Sequence, residues 1–355
     1  MKKKCMTLLI IRKGGLDLKR LRMCLIILLI CTISTKPSII SFAAYGDYYY
    51  QENIKVADAK TALNDTTLHK TTIVIMDCGV DEDYYIRAKK KKAMITSFYL
   101  KKFEKYSDFN ENQHGTMVNC IVDETIRKLG VQSKIKTIHL KWRGSTYEYK
   151  DVVENFLNAI DKIIKNKDKY NIKVVNFSAD MNIGSEYEVK KVKAAVKKLN
   201  DAGITFVAAA GNMDRAISIE NSLSRLSDQI IFVGATDIQN KKAKWSDGLI
   251  QYASCTGKQL DLVAPGEEID FGYQIGFFDY YCWNSGTSLA APQVSVGVAL
   301  MNAINPSLKP SKIESMLKNS ATNLGKQKKD RNNTYGYGLL NLEKAVKSAK
   351  KSVAK

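Results

Sequence analysis

Thr71-Thr72-Ile73-Val74-Ile75-Met76 is a short apolar run, rich in β-branched residues, that ends on the carboxylate of Asp77. A run without polar alternation reads as a strand buried on both faces, which places Asp77 at its carboxyl end. Similar runs follow at Ile135 to Leu140, Lys173 to Ser178, Ile204 to Ala210, Gln229 to Ala235 and Gln259 to Ala264. Helical periods fall between several of them. Val152, Val153, Phe156, Leu157, Ile160, Ile163 and Ile164 share one face, and Val189, Val192, Ala195, Val196 and Leu199 share another. The alternation predicts an α/β fold: a mostly parallel, doubly wound sheet with right-handed crossovers, helices on both faces and functional residues at strand carboxyl ends. Asp77, Ser178 and Asn212 fall at or just beyond such ends. The last third is predicted to be mainly helical, over Ser288 to Ala303, Lys309 to Asn319 and Leu342 to Ala349.

A chain of 355 residues can bury one large core or two ordinary ones. Five prolines and the lack of a Pro/Gly-rich linker favour one domain over residues 70–350. Residues 1–44 read differently. Basic side chains precede the apolar run Met23 to Ile33, and Ser41-Phe42-Ala43-Ala44 follows, the pattern of a signal peptide cleaved near Ala43 or Ala44, or of an uncleaved N-terminal anchor. Residues 45–69, polar and tyrosine-rich, read as a short pro-segment or stalk, too short for a folded pro-domain.

The formal charge is +19, and +11 once the nine basic and one acidic residues of positions 1–44 are set aside. That balance favours an anionic membrane or cell-wall surface as partner through long-range attraction. The runs Lys89-Lys90-Lys91-Lys92 and Lys326-Gln327-Lys328-Lys329 carry no nucleic-acid motif, so no specific nucleic-acid partner is expected. Cys78, Cys120, Cys255 and Cys282 are scattered without metal-binding spacing, so buried thiols and no metal site are expected.

Nucleophilic attack on a peptide carbonyl needs a hydroxyl, a neighbouring base, a group that orients the base, and donors aimed at the developing oxyanion. Ser285-Gly286-Thr287-Ser288 opens an apolar helical stretch, so Ser288 would stand beside unpaired N–H groups at a positive dipole end. Among three histidines, His114 heads His114-Gly115-Thr116-Met117-Val118, which suits a helix start. His139 lies inside a predicted strand and reads as structural, and His69 has no partner in the pattern.

These segments resemble the subtilisin-like serine proteases. Val74 to Val80 is similar to the family's Asp segment, His114-Gly115-Thr116 to its His segment and Gly286-Thr287-Ser288-Leu289-Ala290-Ala291-Pro292 to its Ser segment, in the family's order. Val207-Ala208-Ala209-Ala210-Gly211-Asn212 resembles the segment whose asparagine donates to the oxyanion, and Val233-Gly234-Ala235, Ala264-Pro265-Gly266 and Tyr335-Gly336-Tyr337-Gly338 extend the match over about residues 70–350. The resemblance implies an exported serine endopeptidase, a monomer acting on a protein or peptide, with Asp77, His114 and Ser288 as triad, Asn212 as oxyanion donor and no cofactor for catalysis. It implies substrate held as an added strand between Gly144-Ser145-Thr146 and Ser178-Ala179-Asp180, with Gly211 alongside. Asp180, where the family usually has glycine, is expected, alone or with Asp214, to favour basic substrate side chains. Cys78, Met117, Asn119 and Cys120 depart from the family's pattern, so a catalytically silent binding or scaffolding protein is the alternative. No calcium loop is recognisable within Val122 to Val131, which leaves structural calcium open. The short leader points to a narrow-specificity maturation protease.

Overall fold

A computed structural model describes residues 49–90, 94–100, 109–143, 151–181, 183–275, 278–325 and 331–353. Seven strands form one parallel sheet: β1 (Thr71–Asp77), β2 (Met94–Tyr99), β3 (Ile135–Lys141), β4 (Ile172–Phe177), β5 (Thr205–Ala209), β6 (Ile230–Thr236) and β9 (Leu262–Pro265). Their order is β2-β3-β1-β4-β5-β6-β9. The chain leaves β1 toward one edge and, after β3, returns to β4 on the other side of β1. Strand order therefore reverses between β1 and β4, the point at which open α/β sheets form a crevice at their carboxyl ends. Asp77, the last residue of β1, and Ser178, the residue after β4, flank it.

The pleat of β1 distributes its side chains between two cores. Ile73 and Ile75 join one with Val118 and Val122 of helix α4 (Phe109–Leu129) and with α8 (Thr287–Ile304). Val74 and Met76 join the other with Phe156 and Ile160 of α5 (Val152–Tyr170) and Val192 and Val196 of α6 (Glu186–Asp201). Trp142, Phe156, Phe177 and Phe206 fill this second core, with the Trp142 and Phe177 rings 5.2 Å apart and those of Phe156 and Phe177 meeting edge to face at 5.7 Å. Each buried side chain of this size stabilises the fold by about 2–3 kcal/mol. A Ser185–Glu188 capping box fixes the start of α6. Helix α8 is apolar on every side and every residue in it except Ser288 is buried, as expected of a helix at the centre of a core.

The six predicted strands all form, each within three residues of its expected ends. The expectation for residues 45–69 needs correction. Over the described part, Tyr49–Asn53 and Val56–Ala62 are helices α1 and α2, and Tyr50, Ile54 and Ala59 are fully buried. The Ile54 carbonyl accepts from Leu342 N at 3.0 Å at the start of α10 (Leu342–Val353), and Ala303 O accepts from His69 N at 2.7 Å. This segment is part of the domain rather than a stalk, because its few apolar side chains complete the core beneath α4 and α10. Elements of 5 and 7 residues are too short to display a helical period. Helix α3 (Glu82–Lys90), strand β2, the hairpin β7 (Lys244–Ser246) and β8 (Gln251–Ala253), and the hairpin β10 (Ile269–Ile275) and β11 (Phe278–Asn284) were not expected. The remaining helices are α7 (Ile217–Glu220) and α9 (Pro310–Ser320). Residues 1–44, with the expected signal peptide or anchor, lie outside the described residues.

Candidate active site

Asp77 is fully buried, and its carboxylate accepts from the His114 ring Nδ1 at 2.9 and 3.0 Å and from the Cys78 backbone N–H at 2.7 Å. Burial alone would push the acid upward. The His114 ring, the Arg143 guanidinium and the Cys78 N–H outweigh it and hold Asp77 at about 2, so it is an anion at neutral pH. His114, with 35% of its side chain exposed, lies in the second turn of α4 and not at the helix start expected from His-Gly-Thr. Gly115 permits this approach. A Cβ there would lie 2.0 Å from Gly79 O and 2.9 Å from His139 Cε1, so any side chain would force His114 away from Asp77. A second tether, Asp81 N donating to Thr116 Oγ1 at 2.8 Å, ties the turn after β1 to α4.

Ser288 sits in the first turn of α8. Its carbonyl would normally accept from the N–H four residues on, but that residue is Pro292, which has none. Ser178 Oγ donates to the Ser288 carbonyl instead, at 2.7 Å. Asn176 Nδ2 donates to Ser178 Oγ at 2.9 Å, and Ser295 Oγ donates to Asn176 Oδ1 at 2.9 Å. A relay of three side chains thus locks the backbone of Ser288 to the end of β4. Ser178, expected beside the substrate, is 3% exposed and spends its hydroxyl on this repair.

Asn212 follows β5. Its Oδ1 accepts from Thr287 N at 3.0 Å and from Thr287 Oγ1 at 2.9 Å, while Gly211 N donates to Thr287 Oγ1 at 3.1 Å. Two donors on Oδ1 fix the orientation of the amide and turn Nδ2 outward. A Cβ on Gly286 would lie 3.1 Å from Ser288 Oγ and 3.6 Å from Asn212 Nδ2, so hydroxyl and amide border the same small space. Leu289, next to Ser288, packs in one apolar cluster with Met117, Cys120 and Ile121 of α4, which seats both pairs on one crevice. His114 and Ser288 are not hydrogen bonded to each other.

Of the expected substrate-contacting residues, Ala179 is buried and Asp180 exposed. Asp214 is engaged by Lys242. Gly144, Ser145 and Thr146 lie outside the described residues. Ile183 N donates to Ser222 Oγ at 3.2 Å and Asn221 Nδ2 to Ala209 O at 3.4 Å, so residues 221 and 222 are tied to the chain after β4 and to the end of β5, three residues before Asn212.

His139 is buried next to Gly115, the neighbour of His114, as its strand position suggested. Asn119 Nδ2 donates to His139 Nδ1 at 2.8 Å and to Gly115 O at 2.7 Å, so the ring proton sits on Nε2, which has no hydrogen-bond partner among the described residues. Burial is the main cause that lowers His139 from 6.5 to about 4. The folded value lies below the unfolded one, so the unfolded chain binds the extra proton between them. The stability tied to neutral His139 is therefore intact above pH 6.5 and is lost as pH falls toward 4, about 3 kcal/mol in all. In urea unfolding, the wild type is expected to lose more stability than His139→Gln between pH 7 and 4.5. Equal losses would remove His139 as the cause. Cys78, Cys120 and Cys255 are buried thiols outside any disulfide, and burial with the adjacent Asp77 charge pushes Cys78 up to about 12, which leaves it inert.

A family model described as the subtilase family matches residues 62–338. Subtilisin DY of Bacillus licheniformis is 30% identical over 240 residues, which cover 66% of this chain and 78% of its own length. Subtilisin BL of Lederbergia lenta is 36% identical over 169 residues, covering 48% of this chain and 56% of its own, so the match spans about half of that relative. Among solved structures, a cold adapted subtilisin-like serine proteinase superposes with a TM-score of 0.56 at 22% identity, over 78% of this chain and 90% of that one. A lanthipeptide protease superposes with a TM-score of 0.60 at 16% identity, over 85% and 98%. At such identities the two structures speak for the fold.

Proposed function

Because the chain belongs to the subtilase family, we propose that it is a serine endopeptidase with Ser288 as nucleophile, His114 as base, Asp77 as orienting acid and Asn212 as oxyanion donor. The observation that carries this reading is the pairing of Ser288 Oγ with Asn212 Nδ2 around one space, in a crevice that also holds the Asp77–His114 pair.

In the proposed reaction, Ser288 Oγ attacks the scissile carbonyl carbon while its proton passes to His114 Nε2. Asp77, bonded to Nδ1–H, keeps the other ring nitrogen free to act as base and stabilises the imidazolium. The carbonyl oxygen, now an anion, accepts from Asn212 Nδ2 and from the unpaired N–H of Ser288 at the start of α8. His114 returns the proton to the leaving amine, and water then releases the acyl group by the same steps. The sequence requires no cofactor. The missing His114–Ser288 hydrogen bond fits a site without substrate, because catalytic hydrogen bonds tighten in the Michaelis complex.

Export rests on the leader of residues 1–44, and attraction to an anionic surface on the +11 of the rest. A narrow maturation role draws support from the likeness to a structure titled a lanthipeptide protease. The reading is tested by incubating the full chain with a fluorophosphonate probe. Wild type should be labelled and Ser288→Ala should not; an unlabelled, folded wild type would refute it.

A further inference from the structure

We propose that Glu220 selects substrates with a basic side chain, arginine or lysine, on the residue that supplies the scissile carbonyl, and that Arg215 occupies its carboxylate until such a side chain displaces it. The inference rests on the peptidase reading above and names its substrate class.

Glu220 ends α7 and is carried to the site by one local bond and one to the end of β5. Its N–H donates to Ala216 O, and the next residue, Asn221, is tied to the end of β5 through Ala209 O. The side chain then lies directly over Gly211, the residue before Asn212. A Cβ at Gly211 would stand 2.4 Å from Glu220 Cγ. Gly211 also has a φ of +108°, so both its backbone and the space above it exclude a side chain. The Glu220 side chain therefore packs on the residue before Asn212, whose amide borders Ser288.

The Glu220 side chain is only 11% exposed, and a carboxylate so placed needs a cation. Arg215 supplies one: its Nε lies 2.7 Å and its Nη2 2.6 Å from Glu220 Oε2. Both contacts fall on the same oxygen, and Oε1 receives no hydrogen bond from the described residues. Arg215 itself is 49% exposed. An anion fixed by the backbone, satisfied on one oxygen by a cation that reaches in from solvent, is suited to exchange that cation for another. A guanidinium or ammonium from the substrate reproduces the same pairing, so the exchange strands no charge. An apolar side chain would leave the ion pair in its way, and an acidic one would meet a like charge. The two acids considered from sequence are less well placed: Asp214 is held by Lys242 and Asp180 is exposed.

The test uses the full chain and fluorogenic peptides identical except for Arg, Lys, Leu or Glu before the scissile bond. Wild type is expected to show a kcat/KM for Arg at least about tenfold above that for Leu, a ratio that Glu220→Gln lowers by about tenfold or more. Arg215→Gln should raise the ratio by removing the internal competitor, and Glu220→Lys should shift preference toward Glu. An active wild type with equal rates for Arg and Leu, or a ratio that Glu220→Gln leaves in place, overturns the assignment while the peptidase reading stands. If Glu220→Gln does not fold, judged by loss of fluorophosphonate labelling, the Arg215→Gln ratio decides. A wild type that neither takes the label nor cleaves any peptide defeats the peptidase reading and this inference with it.

Discussion

Replacing Ser288 by alanine is expected to lower kcat by about 10⁶-fold while KM changes little, the scale established for removing the nucleophile of subtilisins. The fold should survive, because the structure hangs on the backbone of this residue and not on its hydroxyl. The Ser288 carbonyl is held by Ser178, whereas Ser288 Oγ makes no hydrogen bond with the described residues. A melting curve superimposable on wild type, together with loss of hydrolysis of the preferred fluorogenic peptide, is the expected pair of results. The residual rate carries information as well. With the base unable to act on a hydroxyl, what remains comes from binding and oxyanion stabilisation, about 10³–10⁴ over water. A loss of tenfold or less would mean that another group attacks the substrate, and the roles given to His114 and Asp77 would fall with it.

Legibility in the sequence followed burial. The central strands are buried on both faces, so their apolar composition announces them, and Asp77 and Asn212 lie at or just beyond the ends of two of those runs. Elements stabilised from outside themselves left no comparable trace. The residues of α1 are polar and aromatic, and Tyr50 is buried only because α4 lies over it and Glu124 accepts from its hydroxyl. Strand β2 is an edge strand whose Thr96 and Ser97 break the apolar run.

Within the site, the segments named four side chains but not the parts that hold them. Pro292 is the one clue to the Ser178 relay that a sequence carries, since a proline four residues after Ser288 leaves a carbonyl in need of a donor. The pairing of Asn119 with His139 was hidden because 20 residues and a change from helix to strand separate them. Glu220 was missed for the same reason. Nothing near Glu220 in the chain indicates that Gly211 lies beneath it.

Asn212→Leu, close in size but without a donor, is expected to reduce kcat by about 10²–10³-fold, roughly 3–4 kcal/mol of transition-state stabilisation, on the scale known for an oxyanion-hole asparagine in subtilisins. KM should change far less, because the amide meets the oxygen once it carries charge and only weakly before. The geometry adds a second, graded expectation. Thr287 directs Asn212 by placing two donors on its Oδ1, one from the backbone and one from the hydroxyl. Thr287→Val keeps the first and removes the second, and also takes from Gly211 N its acceptor. The amide is then held by one bond and can sample the flipped orientation, in which an oxygen faces the developing anion. Thr287→Val should therefore lower kcat by an intermediate factor, about tenfold, and add little when combined with Asn212→Leu, since both act on one donor. Additive losses in the double variant would show that Thr287 acts on catalysis by another route. An Asn212→Leu enzyme with near wild-type kcat would show that the backbone N–H at the start of α8 suffices to hold the oxyanion.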